Sequence, residues 1–284
     1  LFDPRIARAL AGDPPAPDEA ELDRAAEALL AAKRPVIYAG FGAVAAGCGR
    51  EIQLLASKLG APVVTSVKGR GILSEKDPLN FGVATFEGCE DMLSEADVCL
   101  AVGTGFGQFA TQYYRMPVPG NLIQIDIDPG RLGRNYPARQ EILADALSAM
   151  TGLLKRLEMI DDRPPGEGHF RVRTSKSVYA ERLRAYMDRP AAPPFDGLFV
   201  MKTIRDAFSP DTIFISDSSH TQSWLMEQAL EIYRPRSVLL SEAYQSMGYA
   251  VSAAYGAKLG APERPVCVIV GDGSFVMACG ELAA

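Results

Sequence analysis

The sequence predicts an α/β chain in which a Rossmann-like parallel-sheet domain is followed by a second, incomplete α/β domain. Three observations carry that prediction. Short apolar runs alternate with stretches whose apolar residues recur at helical spacing, which is the rhythm of a parallel sheet joined by crossover helices. Glycines follow several of these runs directly, at Gly40 and Gly42, at Gly103, and at Gly271 and Gly273, where a strand would turn toward a helix. Two stretches rich in proline, glycine and charge, residues 161–168 and 190–197, interrupt the rhythm. The expected organisation is a linker over residues 1–18, a central α/β domain over 19–160, a linker with a helix over 161–196, and the beginning of a second domain over 197–284.

Each element follows from its local pattern. Residues 11–17 hold three prolines and read as linker. Asp18 with Glu21 has the D-x-x-E form of a capping box, and Leu22, Ala26, Leu29 and Leu30 then share one helical face. Pro35 and the run Val36-Ile37-Tyr38-Ala39 switch to a buried strand; Gly40-Phe41-Gly42 turns the chain toward a helix around residues 50–59. Pro62-Val63-Val64-Thr65-Ser66 gives the next strand, which completes a βαβ unit. Apolar runs at 98–102 and 122–127 predict two more strands, and a helix near 139–157 closes the domain. A linker helix is expected at 175–187. The second domain should then run as a helix to residue 208, a strand at 212–216, helices near 224–233 and at 249–259, and a strand at 266–270. The sequence ends just inside a further helix, so the last strand lacks its next crossover partner and this domain is expected to be incomplete.

Composition narrows the function. The 284 residues carry 29 Lys+Arg against 35 Asp+Glu, a net charge of −6, which gives no electrostatic basis for a nucleic-acid or anionic-membrane partner. No apolar run approaches the roughly 18 residues of a membrane span. The five cysteines (Cys48, Cys89, Cys99, Cys267 and Cys279) are odd in number and contain no C-x-x-C pair, which fits reduced thiols and a cytoplasmic protein. With only His169 and His220, a histidine-rich metal centre is excluded. The sequence starts at Leu1 without methionine or signal-peptide pattern and is expected to be a fragment.

Two groups of residues have the chemistry of sites. Gly40-Phe41-Gly42-Ala43-Val44-Ala45 matches G-x-G-x-x-A between a strand and a helix, where backbone amides could meet a diphosphate or where glycines could simply permit tight packing. The acidic residue expected at the end of the following strand is missing, since Thr65, Ser66 and Lys68 stand there, which weakens a dinucleotide reading. Gly103 and the Ile125-Asp126-Ile127-Asp128 stretch lie at further strand ends; both aspartates read either as turn caps or as ribose or flavin contacts. The second group is Val266-Cys267-Val268-Ile269-Val270-Gly271-Asp272-Gly273-Ser274-Phe275, an apolar strand ending in a carboxylate between glycines. Such an Asp could hold Mg²⁺, a hard cation that keeps phosphate oxygens in its shell, while the glycines admit a diphosphate; a plain turn is the alternative.

The surrounding residues resemble the thiamine-diphosphate-dependent enzymes of the acetolactate synthase and 2-oxo-acid decarboxylase superfamily. The resemblance covers nearly the whole chain. Ala31-Ala32-Lys33-Arg34-Pro35-Val36-Ile37 with Gly40-Phe41-Gly42-Ala43, Leu59-Gly60-Ala61-Pro62, Gly69-Arg70-Gly71, Ala96-Asp97-Val98 and Ile125-Asp126-Ile127-Asp128-Pro129 look like that family's central domain. Ser246-Met247-Gly248-Tyr249-Ala250, Ala253-Ala254-Tyr255-Gly256-Ala257, the GDGSF run and Glu281-Leu282-Ala283 look like the start of its thiamine-diphosphate-binding domain.

The resemblance implies that Asp272 binds Mg²⁺, that Gly271, Gly273 and Ser274 cradle the diphosphate, and that Met247 supports the bent cofactor. His220, in Asp217-Ser218-Ser219-His220-Thr221-Gln222, would be a phosphate contact, although the family pattern has glycine at Ser219 and histidine one place later. Gln245 is a second departure, because the nearest pattern has glycine there. FAD or ADP in the central domain, at Gly40, Gly42, Gly103, Asp126 and Asp128, is a further implied cofactor or, as a nucleotide-binding module without catalysis, an alternative function. The implied activity is decarboxylation of a 2-oxo acid followed by carboligation, with simple decarboxylation second, in a homodimer or homotetramer. No catalytic residue is expected in this chain, because the family's pyrimidine-binding glutamate would precede Leu1 and the Asn of its metal motif would follow Ala284. The chain alone is therefore expected to be inactive. A hydrolase built on Asp217, His220 and Ser246 is disfavoured, since Tyr244-Gln245-Ser246-Met247-Gly248 lacks the first glycine of G-x-S-x-G.

Overall fold

A computed structural model describes residues 13–86, 88–158, 166–188, 197–219, 230–241 and 244–283. The strands β1 (Pro35–Ala39), β2 (Val63–Thr65), β3 (Asn80–Val83), β4 (Val98–Val102), β5 (Leu122–Asp126) and β6 (Gln140–Leu143) form one sheet in the order β3-β2-β1-β4-β5-β6, and every neighbouring pair is parallel. In β1, β4 and β5 every residue is buried, because helices cover both faces and leave no solvent side for polar alternation. This order reverses direction between β1 and β4, which opens a crevice at their carboxyl ends.

Alternation along β1 divides the core. Ile37 and Ala39 point to one face, among Leu22, Leu29, Leu55, Leu100 and Leu153. The helices there are α1 (Glu19–Ala31), α2 (Phe41–Ala46), α3 (Gly49–Leu59) and, beyond β6, α5 (Ala146–Glu158). Asp18 caps α1 as its spacing predicts, accepting from the Ala20 and Glu21 amides at 2.8 and 3.4 Å; Glu21 is drawn instead toward Gln140 Nε2 at 2.8 Å. On the other face Val36 and Tyr38 join Phe81, Met92, Cys99 and Phe106, covered by α4 (Cys89–Ser94) and α6 (Gly168–Met187). Lys176 of α6 donates to the Asn80 carbonyl at 2.7 Å and Arg171 to that of Met92 at 3.0 Å. Burial lowers the pKa of both cations.

This second core continues without a break into the second domain through Met201, Phe214, Leu230 and Val238. Here α7 (Gly197–Ala207), β7 (Ile213–Ser216), β8 (Val238–Leu240), α8 (Tyr249–Gly260), β9 (Val266–Ile269) and α9 (Asp272–Ala278) follow in order, with a parallel sheet β8-β7-β9. Among the described residues no helix is long and apolar enough to cross a membrane.

Several expectations need correction. Residues 140–143 are strand β6, not the start of a helix; only Ile142 is buried, so this edge strand has no apolar run to announce it. The pattern also misses β3, whose Asn80 and Gly82 break its apolar character, and β8, which is three residues long. The linker helix starts at Gly168 rather than 175. Of the helix expected at 224–233, residues 230–233 are not helical, since their backbone docks on Glu75, and 224–229 lie outside the described residues.

Candidate functional site

Three chain segments converge at the carboxyl edge of the second sheet. After β7 comes Asp217, fully buried, whose Oδ1 accepts the Ser218 N–H at 2.8 Å and whose Oδ2 accepts the Ala250 N–H at 3.0 Å. It thus satisfies an amide in the first turn of α8, which Gly248, without a side chain and at φ +85°, cannot do. Sequence reasoning missed this role, because the partners are separated by 33 residues.

Met247, just before that helix, is 49% exposed, and its Cε would lie 3.6 Å from a Cβ built on Gly273. A Cβ on Gly271 would meet Ser219 at 3.6 Å. The structure therefore brings Met247, Gly271 and Gly273 together with Ser219. Asp272 opens α9 with its side chain exposed. Ser274 is 1% exposed and its Oγ has no hydrogen-bond partner among the described residues. A buried hydroxyl left unpaired costs about 1–3 kcal/mol, so this atom is suited to a polar ligand. Gln245 sits at φ +49°, a left-handed conformation that glycine adopts freely and Gln does not, which gives a physical reason for the glycine of the family pattern. His220 lies outside the described residues.

The donor set suits a metal bound largely through its ligand. Among the described residues no three His, Cys, Asp or Glu side chains cluster, and Asp217 is engaged with backbone amides. Asp272 is the exposed carboxylate. Mg²⁺ commonly takes one or two carboxylates and completes its shell with phosphate oxygens and water, so Asp272 beside a diphosphate fits it.

Of the other predicted residues, the crevice of the central sheet gathers Gly42, Gly103, Asp126 and Asp128, whereas Gly40 packs against Gly103 and Thr104 outside its lining. The crevice encloses about 500 Å³ and is lined by Gly42, Ser66, Lys68, Gly103, Asp126 and Asp128 among others. Its polar groups are engaged with one another. The Gly40 and Gly42 amides donate to the Val102 and Gly103 carbonyls at 2.9 Å each. Gly103 has φ +58°, and a Cβ there would overlap the Ala43 nitrogen. Asp126 Oδ1 accepts the Asp128 N–H at 3.0 Å, and Asp128 Oδ1 accepts that of Gly130 at 2.9 Å. Gln124, the lone amide in the apolar run of β5, ties the walls together. It donates to the Thr104 and Arg131 carbonyls at 3.0 and 3.2 Å and accepts the Gly133 N–H at 2.9 Å.

The cysteines carry no chemistry of this kind. Burial pushes the Cys48 and Cys99 thiols up to about 12, and all five cysteines are free.

Comparison with known proteins decides the family. Residues 22–153 match the model of the thiamine pyrophosphate enzyme central domain, and residues 217–284 match that of the C-terminal TPP binding domain of the same enzymes. The chain belongs to the thiamine pyrophosphate enzymes. Its second match starts at Asp217 and includes Met247 and Gly271 through Ser274. A protein described as a probable 2-ketoarginine decarboxylase from Pseudomonas aeruginosa is 38% identical over 268 residues, covering 92% of this chain and 45% of the relative. A probable acetolactate synthase large subunit from Methanococcus aeolicus is 30% identical (92% and 46% covered), and an acetolactate synthase large subunit from Corynebacterium glutamicum is also 30% identical (94% and 43%). The chain spans a little under half the length of these relatives.

Proposed function

We propose that the protein carrying this chain is a thiamine-diphosphate- and Mg²⁺-dependent enzyme that decarboxylates a 2-oxo acid, with these residues anchoring the diphosphate. The reading is carried by the unpartnered Ser274 hydroxyl beside an exposed Asp272, where Ser219, Met247, Gly271 and Gly273 converge. Asp272 would hold Mg²⁺, Ser274 with the backbone at Gly271 and Gly273 would hold the diphosphate, and Met247 would support the apolar rings. Bound there, the cofactor supplies the electron sink that lets carbon dioxide leave a 2-oxo acid. The chain's own task is to bind and orient it. Asp217 holds the start of α8, and with it Met247, against the end of β7.

After carbon dioxide leaves, the product either takes a proton or joins a second carbonyl compound. The 38% identity to a 2-ketoarginine decarboxylase supports the first fate, a lyase; the 30% identity to acetolactate synthases supports the second, a transferase. Exposed Leu259, Val276, Met277 and Leu282 on the second domain support assembly as a homo-oligomer. FAD or ADP in the central crevice has less support, because the Gly40 and Gly42 amides already have carbonyl partners.

The test is carbon dioxide release from 2-ketoarginine, pyruvate and related 2-oxo acids by the intact protein, with and without thiamine diphosphate and Mg²⁺. Cofactor-dependent release is expected, with an aldehyde product for the lyase and a hydroxy-oxo acid for the transferase. Release that ignores both cofactors, or none from any 2-oxo acid, would overturn the proposal.

A further inference from the structure

Between β2 and β3 the chain makes a 3-10 turn, Val67–Gly69, and then places Arg70 and Glu75 against the second domain. Both side chains are buried, at 1% and 4% exposure. Arg70 Nε and Nη2 donate to the two Glu75 carboxylate oxygens at 2.6 and 2.8 Å, a bidentate pair. The pair does not close on itself. Arg70 Nη2 also donates to the Leu230 carbonyl at 2.7 Å, Glu75 Oε2 accepts the Ile232 N–H at 2.8 Å, and the Glu75 N–H donates to the Ile232 carbonyl at 3.0 Å. Alongside, Gly71 has φ +78° at a point where any Cβ would overlap the Arg234 carbonyl, and Lys76 Nζ stands 4.3 Å above the Tyr233 ring.

A buried ion pair adds little stability over apolar side chains of the same size; what it can add is a fixed geometry. Here the geometry concerns the backbone of residues 230–232, which leads into β8. Directly after β8, Ser241 Oγ accepts the Ser246 N–H at 3.2 Å, and the next residue is Met247, which faces Gly273. We propose that Arg70 and Glu75 are positioning residues for the candidate cofactor site: from the central domain they set β8 and, through Ser241 and Ser246, the placement of Met247. The inference rests on the thiamine diphosphate reading for what binds, but not for the ordering of residues 244–250.

The experiment compares the intact wild-type protein, Glu75→Gln, and the double variant Arg70→Met/Glu75→Leu. The double variant keeps the volume and removes both charges, whereas Glu75→Gln keeps one acceptor oxygen but sets an amide NH2 against an Arg70 or Ile232 N–H and leaves the guanidinium charge uncompensated. Hydrogen–deuterium exchange is followed in peptides covering 244–250 and, as the control in β4, 98–102. In the double variant, exchange at 244–250 is expected to rise with 98–102 unchanged, and apparent thiamine diphosphate affinity with Mg²⁺ to fall on the order of tenfold, as for other outer-shell groups. Glu75→Gln should raise exchange at 244–250 at least as much as the double variant does, because it leaves the buried Arg70 guanidinium without its counter-charge. Unchanged protection at 244–250, a loss shared equally with 98–102, or a local rise with unaltered affinity would overturn the proposal. Raised exchange confined to 244–250, with no thiamine diphosphate binding even by wild type, would support the positioning role and remove the cofactor reading.

Discussion

At the carboxyl edge of the central sheet, Gly42 and Gly103 press against each other and share a hydrogen bond. At the same edge of the second sheet, a Cβ added at Gly271 or Gly273 would meet Ser219 or Met247 only at ordinary van der Waals distance. The carboxylates differ in the same way. Asp126 and Asp128 each bond a backbone N–H of their own turn, Asp128 while exposed, whereas the exposed Asp272 stands beside a buried hydroxyl that lacks a partner among the described residues. Both places have glycines and aspartates after parallel strands, so the motif alone does not tell them apart. What distinguishes the second is an exposed Asp272 next to a buried Ser274 hydroxyl that has no hydrogen-bond partner among the described residues.

The largest effect that sharpens this contrast comes from the glycines. Gly103→Ala should lower unfolding free energy by about 3 kcal/mol or more, since it adds left-handed strain to an overlap with the Ala43 nitrogen. Gly271→Ala, at φ −74° with clear space, should change it by less than about 1 kcal/mol. Urea titration of both variants checks this; equal losses would erase the difference between a tightly packed glycine and one with room around it. Asp217→Ala should cost about 1–2 kcal/mol, because the Ala250 N–H loses its acceptor, while Asp217→Asn retains an acceptor and should lose less. Thermal melting of the two variants orders them. Smallest is Ser274→Ala, which removes a hydroxyl without a partner and should leave the melting temperature of the cofactor-free protein unchanged or slightly raised. A clear drop would mean that this hydroxyl is already engaged.

These contrasts also mark how far the sequence could be read. β1, β4 and β5 are legible because strands buried on both faces are written as unbroken apolar runs, such as VCLAV. β3 and β6 are not, since one contains Asn80 and Gly82 and the other buries a single side chain at a sheet edge. The G-D-G turn announces Asp272 locally. Whether a glycine amide is available is a different kind of fact: Gly42 is bonded by a residue 61 positions away, and no local pattern records that. Asp217 beneath α8 and the grip of Arg70 on Leu230 are hidden for the same reason.

The most direct test of the account is calorimetric titration of thiamine diphosphate with Mg²⁺ into the intact wild-type protein, Asp272→Asn and Asp126→Asn. Affinity is expected to fall by about 10–100-fold for Asp272→Asn, the range typical for groups that serve a metal site, and to be unchanged for Asp126→Asn. Equal affinity in wild type and Asp272→Asn, or a loss seen only with Asp126→Asn, would contradict it.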